Sequence, residues 1–251
     1  NKKIWNIVKH NLNSFDVIHF QKQIEHTVPF LDSIGLSISS NKILKAYKAT
    51  LKQSWDEYYA RVKKKIRSDC NRQLRRLDKI GKVSFVAPES KQDKYGIIQL
   101  MITQKSRRYR ETGVWNMLAI KEYQQFYKGL AGISSNNIKV HCAALYVGDI
   151  MVATHVGIVD KDTFYYLMPT YEGGEWVRYS TGRLLLLELI KWSIENGLKY
   201  FDFTIGGEAY KKEWCDIEDN LYELINPVSF KGQFYEKYQC SKKAILEFSW
   251  L

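Results

Sequence analysis

Cysteine is scarce in this chain, and what there is shows no pairing pattern: Cys70, Cys142, Cys215 and Cys240 are scattered, with no CxxC. That argues against a disulfide framework and for reduced thiols in a cytosolic setting. The five histidines (His10, His19, His26, His141 and His155) stand in no HExxH or zinc-finger spacing, so no metal site is expected. No apolar run is long enough to cross a bilayer, and no leader-like segment opens the chain, so neither a spanning helix nor a signal peptide is expected. The first residue is Asn1 rather than Met, and the chain reads as a piece excised from something longer. GxxxxGK[ST] and GxGxxG are also missing, which removes a Walker loop and a dinucleotide fingerprint.

What is present is a 251-residue chain, 45% hydrophobic, long enough to bury a core without disulfides. Its net charge of +11 is concentrated: within residues 42–79, thirteen lysines and arginines stand against four acidic residues. Such a segment suits an anionic partner (phosphates, nucleic acid or a lipid surface) or serves as a solvated helix face.

Residues 14–20 (SFDVIHF) read as a strand, with Phe15, Val17 and His19 on one face. Trp55, Tyr59, Val62, Ile66, Cys70, Leu74 and Leu77 recur at three- and four-residue spacing, which predicts one amphipathic helix or two in succession. Gly81 ends it, and KVSFVAP follows as a strand. Two helices are expected near residues 95–110 and 118–129, separated by Gly113. A β-meander follows, turning at Gly148-Asp149 and again near Asp160. In its middle strand, Ala153, His155 and Gly157 share one face; Val152, Thr154, Val156 and Ile158 share the other. Leu184, Leu185, Leu186, Leu187, Leu189, Ile190, Trp192 and Ile194 form a buried helix stopped by Gly197. It leads to a strand in which Phe201, Phe203 and Ile205 alternate with Tyr200, Asp202 and Thr204. A strand, helix, strand unit of this length is a crossover and places its two strands parallel. A strand within residues 221–230 and a helix from residue 236 complete an α/β chain built on a mixed sheet.

Three places carry candidate chemistry. RYSTGR enters the crossover helix, where free amides and the dipole attract phosphate; Ser180 and Thr181 offer hydroxyls, Gly182 close approach and Arg183 charge. The same pattern is also an ordinary helix cap. His155 and Asp202 are polar residues inside strands, each either a satisfied core residue or a site residue. GGEAYKKEW puts Glu208, Tyr210 and Lys211 just past a strand's carboxyl end, where ligands of open α/β sheets gather.

The stretch YYLMPTY…RYSTGRLLLLELIKWSIENGLKYFDFTIGGEAYKKEW closely resembles the CelD-like acetyltransferase branch of the GNAT superfamily, which is related to the tandem FemABX-type aminoacyl transferases. WDEYYARVKKKIRSDCNRQLRRL resembles that family's helical lead-in. The resemblance implies a GNAT-like mixed, mostly antiparallel sheet flanked by helices, occupying residues 42–251. Residues 1–41 would be the C-terminal remnant of a preceding GNAT-like copy. It implies an N-acyltransferase that takes acetyl-CoA or another acyl-CoA as donor and an amine as acceptor, in cell-envelope or polysaccharide biosynthesis. The CoA pyrophosphate would lie at Tyr179, Ser180, Thr181, Gly182, Arg183 and Leu184. Within that loop Thr181 replaces the family's usual proline and Leu184 its second small residue. His155 is the expected base, Asp202 its partner or a substrate anchor, and Tyr210 the acid or a structural tyrosine; Tyr171, Glu208 and Lys211 would bind the acceptor. Two alternatives stand beside it. One is a FemABX-type aminoacyl transferase using aminoacyl-tRNA, with RNA phosphates on the basic helices. The other is a degenerate fold serving as a binding module. The expected location is the cytoplasm, free or at the inner membrane face.

Overall fold

The computed structural model describes residues 2–12, 14–36, 44–133, 138–206 and 208–248. The boundary expected at residues 41 and 42, the start of the basic segment and Gly207 fall outside them. The chain divides into two compact units, residues 47–204 with 208–217, and residues 1–46 with 205–207 and 218–251.

The larger unit takes in most of β2 (Leu44–Thr50), then α3 (Trp55–Arg61), α4 (Lys64–Leu77), β3 (Val83–Val86), α5 (Lys91–Thr112) and α6 (Lys121–Leu130). The meander β4 (Ile138–Val147), β5 (Ile150–Asp160) and β6 (Thr163–Tyr171), the crossover helix α7 (Thr181–Glu195) and β7 (Tyr200–Ile205) follow. Its strands lie in the order β2-β7-β6-β5-β4-β3. The pairs β3/β4, β4/β5 and β5/β6 are antiparallel, and β6/β7 is parallel. This is the expected mixed, mostly antiparallel sheet. The 55–77 periodicity resolves into two helices: Ser54 caps α3 by accepting the Glu57 amide at 3.2 Å, and the chain turns extended at Val62. Gly113 ends α5 in the left-handed region at φ 67°, where a glycine carries no Cβ penalty.

Each sheet face has its own core. Leu145, Val147, Ala153, Phe164, Tyr166, Phe201 and Phe203 pack with the leucines of α7. Val140, Cys142, Ala144, Val156 and Met168 pack with Ile97, Ile98 and Met101 of α5. Two slips in register break the simple alternation. Between Leu145 and Tyr146 the pairing jumps from Ala153 to Met151, so Val152 joins Ala153 in the α7 cluster instead of facing α5 with Val156. Between Val156 and Ile158 the partners jump from Met168 to Tyr165, giving β6 an extra residue at 166–167. Phe164 and Tyr166 face α7, yet Met168 faces α5 and Tyr171 again packs on the α7 side.

The smaller unit holds α1 (Lys2–Asn11), β1 (Val17–Ile24), α2 (Val28–Ser33), the start of β2, β8 (Ile217–Pro227) and α8 (Phe230–Phe248). β1 pairs antiparallel with β8 from Val17↔Pro227 to Ile24↔Leu221. Leu31, Ile34, Leu36 and Leu224 form its core. His19 is tied here, with Nε2 2.6 Å from Glu223 and Nδ1 3.0 Å from the Tyr235 hydroxyl.

Candidate functional site

β6 and β7 pair only at their first residues, from Thr163↔Tyr200 to Tyr165↔Asp202. Both strands continue, β6 to Tyr171 and β7 to Ile205, so they part where the β6 bulge begins. Beside the unpaired end of β6 lies a cavity of about 390 Å³. Tyr166, Pro169, Thr170 and Tyr171 of β6 line it, with Ser180, Thr181, Gly182, Arg183 and Leu186 from the mouth of α7, and Val177, Tyr210 and Trp214.

The displaced end of β6 is held by α5 in place of β7. Lys105 Nζ donates to the Pro169 carbonyl at 3.0 Å, and Arg107 donates to the Tyr171 carbonyl at 2.5 Å. Gln104 bridges the sheet to the loop beyond, accepting from Thr154 at 2.9 Å and donating to Glu172 at 3.2 Å. Trp214 is fixed by the buried Tyr58, whose hydroxyl donates to its carbonyl at 3.0 Å.

Six of the residues expected in the site meet at this cavity: Tyr171, Ser180, Thr181, Gly182, Arg183 and Tyr210. Their parts differ from the pattern reading. Ser180 adopts the left-handed conformation, φ 53°, and makes no side-chain cap. Thr181 is buried and gives its hydroxyl to the Val152 carbonyl at 3.3 Å, so what it offers the cavity is its amide. A Cβ at Gly182 would sit 2.9 Å from Cδ1 of Tyr171, so the missing side chain makes room for that ring. Arg183 pairs with Asp69 of α4 at 2.7 Å. Tyr210 is 37% exposed, and its phenol is pushed up to about 12 by desolvation first, then by Glu208 and Cys215.

The other expected residues lie off the cavity lining. Leu184 is core, and its amide is spent on the Ser180 carbonyl at 3.2 Å. Tyr179 is buried between two guanidinium groups, Arg76 at 4.8 Å and Arg178 at 4.9 Å from its ring centre. Glu208 and the buried Lys211 pair with each other at 3.1 Å. Asp202 accepts the Thr204 amide at 2.7 Å and lies 3.7 Å from Lys48. Thr204 stands at φ 57°, a strained position for a β-branched residue.

His155 is 0% exposed. Its ring stacks on Tyr166 at 4.9 Å and 9° and on Phe164 at 5.4 Å, and neither nitrogen has a hydrogen-bond partner among the described residues. Burial holds it neutral, well below the usual histidine range, and carries the neighbouring His141 down to about 3. The sealed imidazole expected as the base lies off the cavity lining, stacked on Tyr166, which does line it.

Sequence reasoning gave no site role to Tyr166, Trp214, Lys105 or Arg178, and took Arg72 and Arg76 only as part of the basic segment 42–79. The arginines could have been found: Arg72 and Arg76 are four apart on one helix face. Tyr166 could not, because only the bulge turns its strand toward the opening. Among the described residues these three arginines, with Arg183, pair only with Asp69 and Glu175, leaving positive charge beside the start of α7. Those of Thr181 and Gly182 have no backbone acceptor among the described residues. Amides and charge together suit the phosphates of a donor. Among the described residues no cluster of side chains could hold a metal ion.

A model of the acetyltransferase (GNAT) domain matches residues 64–212. The crystal structure of FemX superposes with a TM-score of 0.66 at 10% identity, covering 91% of this chain and 77% of that one. L-PGS from Bacillus licheniformis gives 0.62 at 10% identity over 95% of this chain and 76% of that one. The C-terminal domain of a putative lysylphosphatidylglycerol synthetase from Agrobacterium fabrum gives 0.59 at 12% over 88% and 71%. At these identities the likeness is one of fold. No curated protein matches the sequence.

Proposed function

The chain belongs to the acetyltransferase (GNAT) domain family, and from that premise we propose that it is an N-acyltransferase that takes an acyl-CoA donor and an amine acceptor. The observation that carries this reading is the cavity beside the end of β6, with the first residues of α7, Arg183 among them, at one side and Tyr210 at the wall. Within the family we place it with the CelD-like branch, on the motif of residues 165–214. We read residues 1–41 as the end of a preceding copy.

In this reading the donor's pyrophosphate takes the amides of Thr181 and Gly182 and the charge of Arg76, Arg178 and Arg183. The thioester enters the opening, where the β6 edge freed from β7 presents amides to the developing oxyanion. The neutral amine attacks the carbonyl carbon, a C–N bond forms and the C–S bond breaks. The amine's proton leaves to solvent, the thiolate takes the Tyr210 proton, and the phenolate regains a proton from solvent, which closes the cycle. Tyr210 lines the cavity and is protonated at neutral pH, and its raised pKa makes it regain the proton at once after donating it. His155 supports Tyr166 from beneath, and Asp202 holds the turn at Thr204. Tyr171 borders the acceptor's entry; Glu208 and Lys211 set the charge around Tyr210.

A second reading, the FemABX-type aminoacyl transferase, draws on the basic outer face of α4, where Lys64, Lys65, Arg72 and Arg75 are exposed. Thermal shift with a panel of acyl-CoAs separates the two. Stabilisation by one or more acyl-CoAs, lost in an Arg76→Gln/Arg178→Gln variant, is the expected result. Salt-sensitive tRNA binding with no response to any acyl-CoA overturns the CoA donor in favour of aminoacyl-tRNA.

A further inference from the structure

α6 carries the apolar stripe of a core helix and buries none of its residues completely. Tyr123, Phe126, Tyr127 and Leu130 recur at the spacing of one helix face. Tyr127 and Leu130 rest on the α5 core. Tyr123 and Phe126 turn outward, and Phe126 is 62% exposed. The loop before the helix adds Val114, Ile120 and Trp115, the last 68% exposed. The Trp115 and Tyr123 rings meet edge to face at 6.4 Å. A ridge of Val, Trp, Ile, Tyr and Phe has no covering element among the described residues.

Its surroundings are cationic. Within residues 107–128, Arg107, Arg108, Arg110, Lys121 and Lys128 stand against Glu111 and Glu122 alone. Arg107 and Arg108 share Glu111; Arg110, Lys121 and Lys128 have no carboxylate within ion-pair distance among the described residues. Beside the ridge is a second cavity of about 390 Å³, lined by Thr103, Ser106, Arg110, Asn116, Gln124 and Lys128 among others. Two unpaired cations with hydroxyls and amides in one concavity suit a phosphate oxygen.

We propose that this α5–α6 hairpin is a docking surface for a bilayer rich in anionic phospholipid. The aromatic ridge enters the interfacial layer, and Arg110 and Lys128 take a headgroup phosphate in the second cavity. Trp and Tyr favour that layer because each joins an apolar ring to a polar tip. The cationic rim is attracted to anionic headgroups, and ridge and rim act together as an interfacial anchor. A protein partner would meet the same apolar ridge, but the rim of unpaired cations and the phosphate-sized concavity beside it favour a lipid. No helix among the described residues is long and apolar enough to cross a membrane, so the attachment is peripheral. The inference does not depend on the donor.

Co-sedimentation with vesicles tests it, using phosphatidylcholine alone and phosphatidylcholine mixed with phosphatidylglycerol. The chain should pellet with the mixed vesicles at low salt. Trp115→Ser/Phe126→Ser, both surface changes that leave the melting temperature in place, should weaken that binding about tenfold or more. Arg110→Gln/Lys128→Gln should weaken it and flatten its salt dependence. Transfer to a soluble amine should be unchanged in both variants, which separates failure here from failure of the acyltransferase reading. The proposal is overturned if the wild type stays in the supernatant, or if the Trp115→Ser/Phe126→Ser protein pellets equally. It is also overturned if sedimentation shows the ridge closing a dimer, or if glycerol phosphate stabilises a protein that ignores vesicles.

Discussion

Tyr210 shows how surroundings set a side chain's ionisation. Its phenol is held at about 12 by burial, so it stays protonated through neutral and mildly alkaline pH, the state the proposed acid role requires. Tyr210→Phe should lower kcat about 100-fold and leave the donor's KM in place, read by steady-state kinetics with a saturating amine. Tyr210 itself should impose no alkaline fall in rate below about pH 10, since its own titration lies higher. For Asp202 the prediction concerns stability. Asp202→Ala removes the acceptor of the Thr204 amide at a strained φ of 57° and should cost about 1–3 kcal/mol, measured by denaturant unfolding. Tyr210 was legible because it follows the carboxyl end of a recognisable strand. The fate of Asp202 was not, since Lys48 lies far away along the chain and only folding brings it within 3.7 Å.

At the scale of elements, the helices and the meander were readable because their periods are long and their stops are glycines. The bulges were not, because one extra residue in β6 leaves composition and local propensity unchanged. Yet that residue turns Pro169 and Tyr171 toward the opening. The α7 mouth was found as a glycine-bearing cap, but the reason for the glycine came from a neighbouring strand. Gly182→Ala should press on the Tyr171 ring from 2.9 Å, destabilise by about 1–3 kcal/mol and raise the donor's KM with a smaller effect on kcat. Lys105→Met tests the support of β6 by α5. With the Pro169 carbonyl left without its donor, stability should fall by about 1–2 kcal/mol and KM should rise, a result visible in parallel melts and kinetics.

At the scale of the molecule, the two buried histidines set an acid limit. Both imidazoles are held neutral in the folded state, His141 at about 3 and His155 well below the usual range. The unfolded chain takes up protons near pH 6.5, so this contribution is complete above that pH and is lost as pH falls through it. Between pH 7 and pH 5 each histidine should remove about 2 kcal/mol of stability. His155→Phe should roughly halve that slope in unfolding experiments at a series of pH values. It should also leave turnover within a few-fold, because a phenyl ring can still carry Tyr166. The parting of β6 and β7 has a further consequence, for exchange with solvent. Past Tyr165 and Asp202 the two strands no longer satisfy one another, so the amides on their facing edges trade hydrogen for deuterium quickly. A thioester lodged between them would slow that trade, and the sheet would report its own occupancy to a mass spectrometer without label or coupled assay.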